Sequence, residues 1–292
     1  MKKTPHSPQT PQPSAQSITL LERAQREWPE MSRARLKEYI AAGRIAVDGS
    51  PRRKANEPVE ATCRVGILSK QPQKPYIGRG LDWVWEDNWL IVVVKHGGLL
   101  SAPNRGGEIS AKNILDDYFE RTHQRCRAHV VHRLDKETSG VMVFAKQMEA
   151  ERRLEADWHG HVVDRRYVAL VSQCPKQAEG TVVSWLKDNS AYVVYSSPTD
   201  NGGKRSVTHY KVIRSNMAQG RALVELKLET GRKNQIRVHM ADLGCPICGD
   251  HKYGSTDNPE DRLCLHAFRL VLRHPMTGEE LRFETPLPNW GK

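Results

Sequence analysis

Apolar positions first recur at helical spacing in Ile18, Leu20, Leu21 and Ala24, which predicts a short amphipathic helix. Leu36, Tyr39 and Ile40 repeat the pattern behind Ser32, a suitable N-cap, and Gly43 suits the left-handed end of that second helix. Arg44 to Val47 reads as a strand with Asp48-Gly49 as its hairpin turn. The continuous apolar run Trp89 to Val94 predicts a central strand, and Val141 to Ala145 a second buried one. Helices are predicted for Ser110 to about Thr122 and for Met148 to Trp158. In the latter, Ala150, Leu154 and Trp158 stand four apart and read as core contacts. Arg165 to Val171 alternates as a strand with Tyr167, Ala169 and Val171 on one face. A hairpin between Trp185 and Lys204, strands at Val207–Ile213 and Ala222–Leu228, a helix from Gly231 to near Gly244 and a closing hairpin complete the expectation.

Polar stretches divide these elements. Residues 1–16 hold four prolines and almost nothing apolar, so they are expected to form a disordered tail. Residues 69–76 are polar and proline-bearing and read as a linker. The expected organisation is therefore a small module at 17–68 and a large domain at 77–292. With 292 residues and 38% hydrophobic content, both can have a real core.

The chain carries 45 basic against 34 acidic residues, a formal charge of +11, which points to a polyanionic partner, nucleic acid first. Across residues 33–44 of the first module, Arg33, Arg35, Lys37 and Arg44 outnumber the single acid Glu38. No apolar run approaches the roughly 18–20 residues of a membrane span, and no apolar segment follows Met1-Lys2-Lys3, so a cytoplasmic protein without membrane contact is expected. Six cysteines in a chain of this length do not make a disulfide scaffold. Cys245, Cys248, Cys264 and His266 offer four metal ligands, but small core residues are the simpler reading.

The densest chemistry lies in Val131-His132-Arg133-Leu134-Asp135-Lys136-Glu137-Thr138-Ser139-Gly140, where a carboxylate stands between two cations just before an apolar strand. Taken alone, the stretch reads equally well as a solvated surface turn. The string HRLDKETSG resembles the signature HRLD-x-x-TSG of the RluA-type pseudouridine synthases. Five further segments fit the same family. They are Lys95 to Pro103 (His96 replacing the usual Pro), Arg165 to Val171, Gly231 to Met240 (Asn234 replacing the usual His), Gly249 to Gly254, and Leu265-His266-Ala267. Residues 17–66 resemble the S4-like RNA-binding module.

The resemblance implies an α+β fold with a mixed, mainly antiparallel sheet, and an isomerase that converts uridine to pseudouridine in structured RNA without a cofactor. It makes Asp135 the catalytic residue, Tyr167 the aromatic packed on the target base, and Arg237 the partner of the aspartate. Arg133 fills the space left by the flipped-out nucleotide. With Arg33, Arg35, Lys37 and Arg44 it forms the expected RNA-binding set. A guanidinium beside Asp135 is expected to lower its pKa. Ribosomal RNA of the large subunit is favoured over transfer RNA as substrate, and a monomer is expected. Two rivals remain: an inactive RNA-binding protein of the S4 type, and a hydrolase that only cleaves the glycosidic bond, for which a second carboxylate is needed.

Overall fold

The computed structural model describes residues 17–68, 76–190, 193–216 and 218–292. The expected tail and nearly all of the expected linker lie outside the described residues. The chain divides into two compact units, Met1–Lys74 and Pro75–Lys292.

In the first unit β1 (Ser17–Thr19) leads into α1 (Leu20–Glu27), followed by α2 (Arg33–Ala41), β2 (Ile45–Val47), β3 (Ser50–Arg52), β4 (Pro58–Glu60) and β5 (Val65–Ile67). Thr19 and Glu22 form a reciprocal capping box, and Ser32 caps α2 by accepting from the Arg35 N–H. Leu20, Leu21, Ala24, Leu36, Ile40, Ile45 and Val47 make the core. The turn between β2 and β3 puts both Asp48 and Gly49 at positive φ, 49° and 83°, as the hairpin requires.

The second unit is built on one ten-stranded sheet. Its strands are β6 (Leu81–Glu86), β7 (Leu90–Lys95), β8 (Ser139–Ala145), β9 (Val162–Val171), β10 (Glu179–Asp188), β11 (Val194–Ser197), β12 (Lys204–Asn216), β13 (Arg221–Leu228), β14 (Leu265–Arg273) and β15 (Glu280–Glu284). The helices are α3 (Ala111–Arg121), α4 (Met148–Ala156), the single turn α5 (Trp158–His161) and α6 (Gln235–Asp242). The strands run in the order β11-β10-β12-β13-β9-β14-β8-β7-β6, with β15 paired to β14. Every pairing is antiparallel except β14 with β8. The expected α+β architecture is therefore present.

Burial on both faces accounts for the continuous apolar runs. Ile91, Val93, Met142 and Phe144 join one core cluster, and Leu90, Val92, Val141, Val143 and Ala145 the other. The strand at 90–95 lies one place from the β6 edge rather than at the centre of the sheet. The predicted helix at 231–244 is shorter than expected: residues 231–234 form a loop, and α6 starts at Gln235. Cys245, Cys248 and Cys264 are free thiols buried in the main core, as small apolar residues.

Candidate active site

The parallel seam between β8 and β14 sets the geometry of the site. Gly140 pairs with Ala267, and Ala267 pairs on its other side with Tyr167 of β9. The loop entering β8 is thereby carried to the strand bearing Tyr167. The seam needs a glycine at 140. Its φ is 131°, and a Cβ there would lie 2.3 Å from the Ala267 carbonyl oxygen.

The loop is tied down at several points. Ser101 Oγ donates to the Leu134 carbonyl at 2.7 Å and accepts from the Leu134 N–H at 3.1 Å. Lys95, wholly buried, donates its three protons to the carbonyls of His96, Leu99 and Lys136 at 2.9, 2.7 and 3.0 Å. Burial pushes the Lys95 pKa down to about 8, against the attraction of Glu137 and Asp135. Ser139 Oγ receives Arg262 at 2.8 Å and bonds His266 Nδ1 at 2.8 Å, and the other nitrogen of that ring meets Thr285 Oγ1 at 2.8 Å.

Above the loop lies a cavity of about 340 Å³. Among the described residues Asp135 is the sole carboxylate in its lining, against four cations, Arg133, Arg165, Arg232 and Lys233. Tyr167, 6% exposed, forms part of the wall. Burial raises its hydroxyl pKa, with Arg165 opposing the shift. His132, also in the lining, accepts from the Val143 N–H at 3.1 Å and stacks at 5.1 Å on Trp158. Burial holds its pKa down to about 3, so the ring is neutral at physiological pH.

Two expectations need correction. The first concerns Arg237. Its guanidinium makes a fork on Asp250, at 2.7 and 2.6 Å, and does not pair directly with Asp135. It acts on Asp135 through its charge. The second concerns the aspartate itself. Its carboxyl is raised from the ordinary value, because burial outweighs the opposing pull of Arg237, the Asn234 N–H, Arg133 and Lys95.

Asn234 occupies a working position. It adopts the left-handed conformation (φ 54°, ψ 16°) immediately before α6, which an asparagine accepts readily. Its side-chain oxygen accepts from Arg237 Nη1 at 3.1 Å, and its Nδ2 donates to the Tyr253 hydroxyl at 3.0 Å. Arg237 in turn lies 5.0 Å over the Tyr253 ring. His96, the other departure from the family pattern, contacts Asp82 at 2.8 Å on the exposed side. Arg133 is exposed at the cavity rim. In the first unit Arg33, Arg35 and Lys37 are exposed, whereas Arg44 is half-buried, 4.2 Å over the Tyr39 ring and bonded to the Leu68 carbonyl.

Residues 89–242 match the family model described as RNA pseudouridylate synthase. The chain belongs to the RluA-type RNA pseudouridine synthases. It is 35% identical over 279 residues to the "Ribosomal large subunit pseudouridine synthase D" of Vibrio cholerae, covering 89% of this chain and 85% of that one. It is 39% identical over 211 residues to the "Uncharacterized RNA pseudouridine synthase YjbO" of Bacillus subtilis, covering 71% and 73%. Among solved structures, "Human RNA Pseudouridylate Synthase Domain Containing 1" superposes with a TM-score of 0.60 at 26% identity, over 74% of this chain and 87% of that one.

Several residues around the synthase cavity escaped sequence reasoning. Asp250 lies in the segment matched to the family, but nothing in a sequence marks it as the partner of Arg237 thirteen positions earlier. Trp158, expected to be a core contact, does pack on the second core but also lines the cavity. Arg165 lies two residues before Tyr167 on the same strand face, and this alternation was the signal that could have found it.

Proposed function

We propose that this synthase isomerises a uridine of large-subunit ribosomal RNA, with Asp135 as the reacting carboxylate on a flipped-out nucleotide. One observation carries the reading: the cavity holds one carboxylate against four cations, with an aromatic side chain in its wall. A glycosidase of the ordinary kind needs two carboxyl groups across the bond, which weighs against simple hydrolysis. The cations suit the phosphodiester backbone of RNA. The ribosomal assignment rests on relatives such as the Vibrio cholerae protein, whose name states that substrate.

The chemistry follows from the arrangement. The bond from ribose C1′ to uracil N1 breaks, the uracil rotates, a C1′–C5 bond forms, and C5 gives up its proton while N1 gains one. Product and substrate have equal mass. Asp135 acts as an anion on the target nucleotide, and the pKa raised by burial makes it a stronger base and nucleophile once ionised. Tyr167 offers a face for the pyrimidine, a contact typically worth about 1–3 kcal/mol for a base on an aromatic. Arg133, exposed at the rim, fills the stack that the nucleotide leaves, offsetting a few kcal/mol of lost stacking. Arg237, held by Asp250 and Asn234, supplies a fixed positive field behind the aspartate. The exposed Arg33, Arg35 and Lys37 of the first unit, which resembles the S4-like module, hold the RNA backbone.

Carbodiimide mapping of pseudouridine in ribosomal RNA from a strain lacking the gene tests the assignment. One or more large-subunit positions lose the modification and regain it with the wild-type gene but not with Asp135→Asn. Loss confined to transfer RNA would replace the substrate. Free uracil from a labelled transcript would replace the reaction.

A further inference from the structure

A second cavity of about 230 Å³ opens beside the first, and the two share Trp158, His159, Arg165 and Leu228 in their linings. Arg165 is half-buried at this shared wall. Among the described residues no carboxylate lies within ion-pair distance of it. Its strand neighbour is treated differently: Arg166, pointing to the other face, is paired with both Asp164 at 2.9 Å and Glu225 at 2.6 Å. The acids of the second cavity are likewise occupied elsewhere, Asp164 by Arg166 and Arg269, and Glu229 by His209.

A guanidinium withdrawn from water without a counter-charge is costly. Here its position is also shaped by the backbone. A Cβ at Gly231 would come within 3.0 Å of Arg165 Nη1, so the glycine leaves room for the head group. The Trp158 ring lies 5.8 Å from Arg165 Cζ and is backed by the neutral His132 ring. A fork of N–H donors that is held in place and faces open space is suited to a phosphodiester. On β9 it projects from the same face as Tyr167, one pleat away, about 6.6 Å along the strand.

We propose that Arg165 anchors a phosphate flanking the target uridine, and that the second cavity seats the neighbouring nucleotide. The inference rests on the reading that the target uridine enters the cavity beside Asp135. It makes the second cavity a subsite through which the synthase feels the RNA next to its target.

The test uses the full-length protein and a synthetic RNA hairpin bearing the mapped uridine, with a single uncharged methylphosphonate on one side of it or the other. Pseudouridine formation gives kcat/KM. At one linkage the neutral group lowers the wild-type value about tenfold or more, as expected for loss of a charged hydrogen bond. Arg165→Gln is lowered by a similar factor on unmodified RNA and shows no further penalty at that linkage. Gly231→Ala, which displaces the guanidinium without removing it, shrinks the same penalty and serves if Arg165→Gln does not fold. The proposal is overturned if Arg165→Gln stays within twofold of wild type, or if the penalty at both linkages survives in the variants. An Asp135→Asn protein that retains activity would instead sink the reading beneath it. Inactive Asp135→Asn beside an unaffected Arg165→Gln removes this inference alone.

Discussion

Withdrawing Asp135 from water costs its ionised form more than Arg237, Asn234, Arg133 and Lys95 together return, so its proton is held above the ordinary carboxylate range. Between the unfolded and folded pKa values the native state binds more protons than the unfolded chain, and stability falls as pH rises through that window. Asp135→Asn is therefore expected to lose at least about 10³-fold in activity while its Tm at pH 8 equals or exceeds that of the parent. A clear drop in Tm would show that the carboxylate stabilises the fold. The wild-type kcat/KM should likewise show an acid limb displaced upward from a free aspartate. Asn234 separates backbone from side chain. Asn234→Gly loses two side-chain hydrogen bonds, about 1 kcal/mol each, whereas Asn234→Ala also meets the left-handed φ, at about 1–2 kcal/mol more. Urea unfolding of the two variants measures the difference, and equal midpoints would remove the backbone argument. The residue types of the site were legible in the loop at 132–140 and in Tyr167. The net sign of the Asp135 shift was not, because charge neighbours can be guessed from a sequence while desolvation depends on everything packed around the group.

Among the elements, the parallel seam of β8 and β14 bears the greatest demand. Gly140→Ala would drive a Cβ into the Ala267 backbone, and a loss of more than about 3 kcal/mol is expected. Near-native stability in urea would mean that the seam can open without cost. Strand and helix positions were readable because both faces of β7 and β8 are buried, giving continuous apolar runs, and because α1, α2 and α3 carry side-chain caps. The pairing of β8 with β14 was not readable. The partners lie more than 120 residues apart, and only the folded backbone shows that Gly140 meets Ala267. The start of α6 was misjudged for a local reason: Asn234 turns left-handed, and the residues before it form a loop whose charged side chains still look helical in spacing.

Taken whole, the molecule joins a small basic unit to a larger unit that holds the cavity, and the proposed function predicts that the two contribute separable terms to RNA affinity. Replacing Arg33, Arg35 and Lys37 together with glutamine should reduce the slope of log affinity against log salt by about 2–3, leaving the turnover of saturated enzyme unchanged. Filter binding of a ribosomal transcript across a salt series measures this, and an unaltered slope would exclude that helix from the interface. The charge of +11 was the visible hint of such a partner.

The bond between Ser139 and His266 spans 127 residues of chain. During translation at about 5–20 residues per second, roughly 6–25 s separate the emergence of the two. Throughout that interval β8 lacks its β14 neighbour, and the loop at Asp135 lacks the bonds that Arg262 and His266 make to Ser139. The nascent protein is thus expected to be inactive through that interval. On that expectation the onset of activity follows from the order of the strands along the chain.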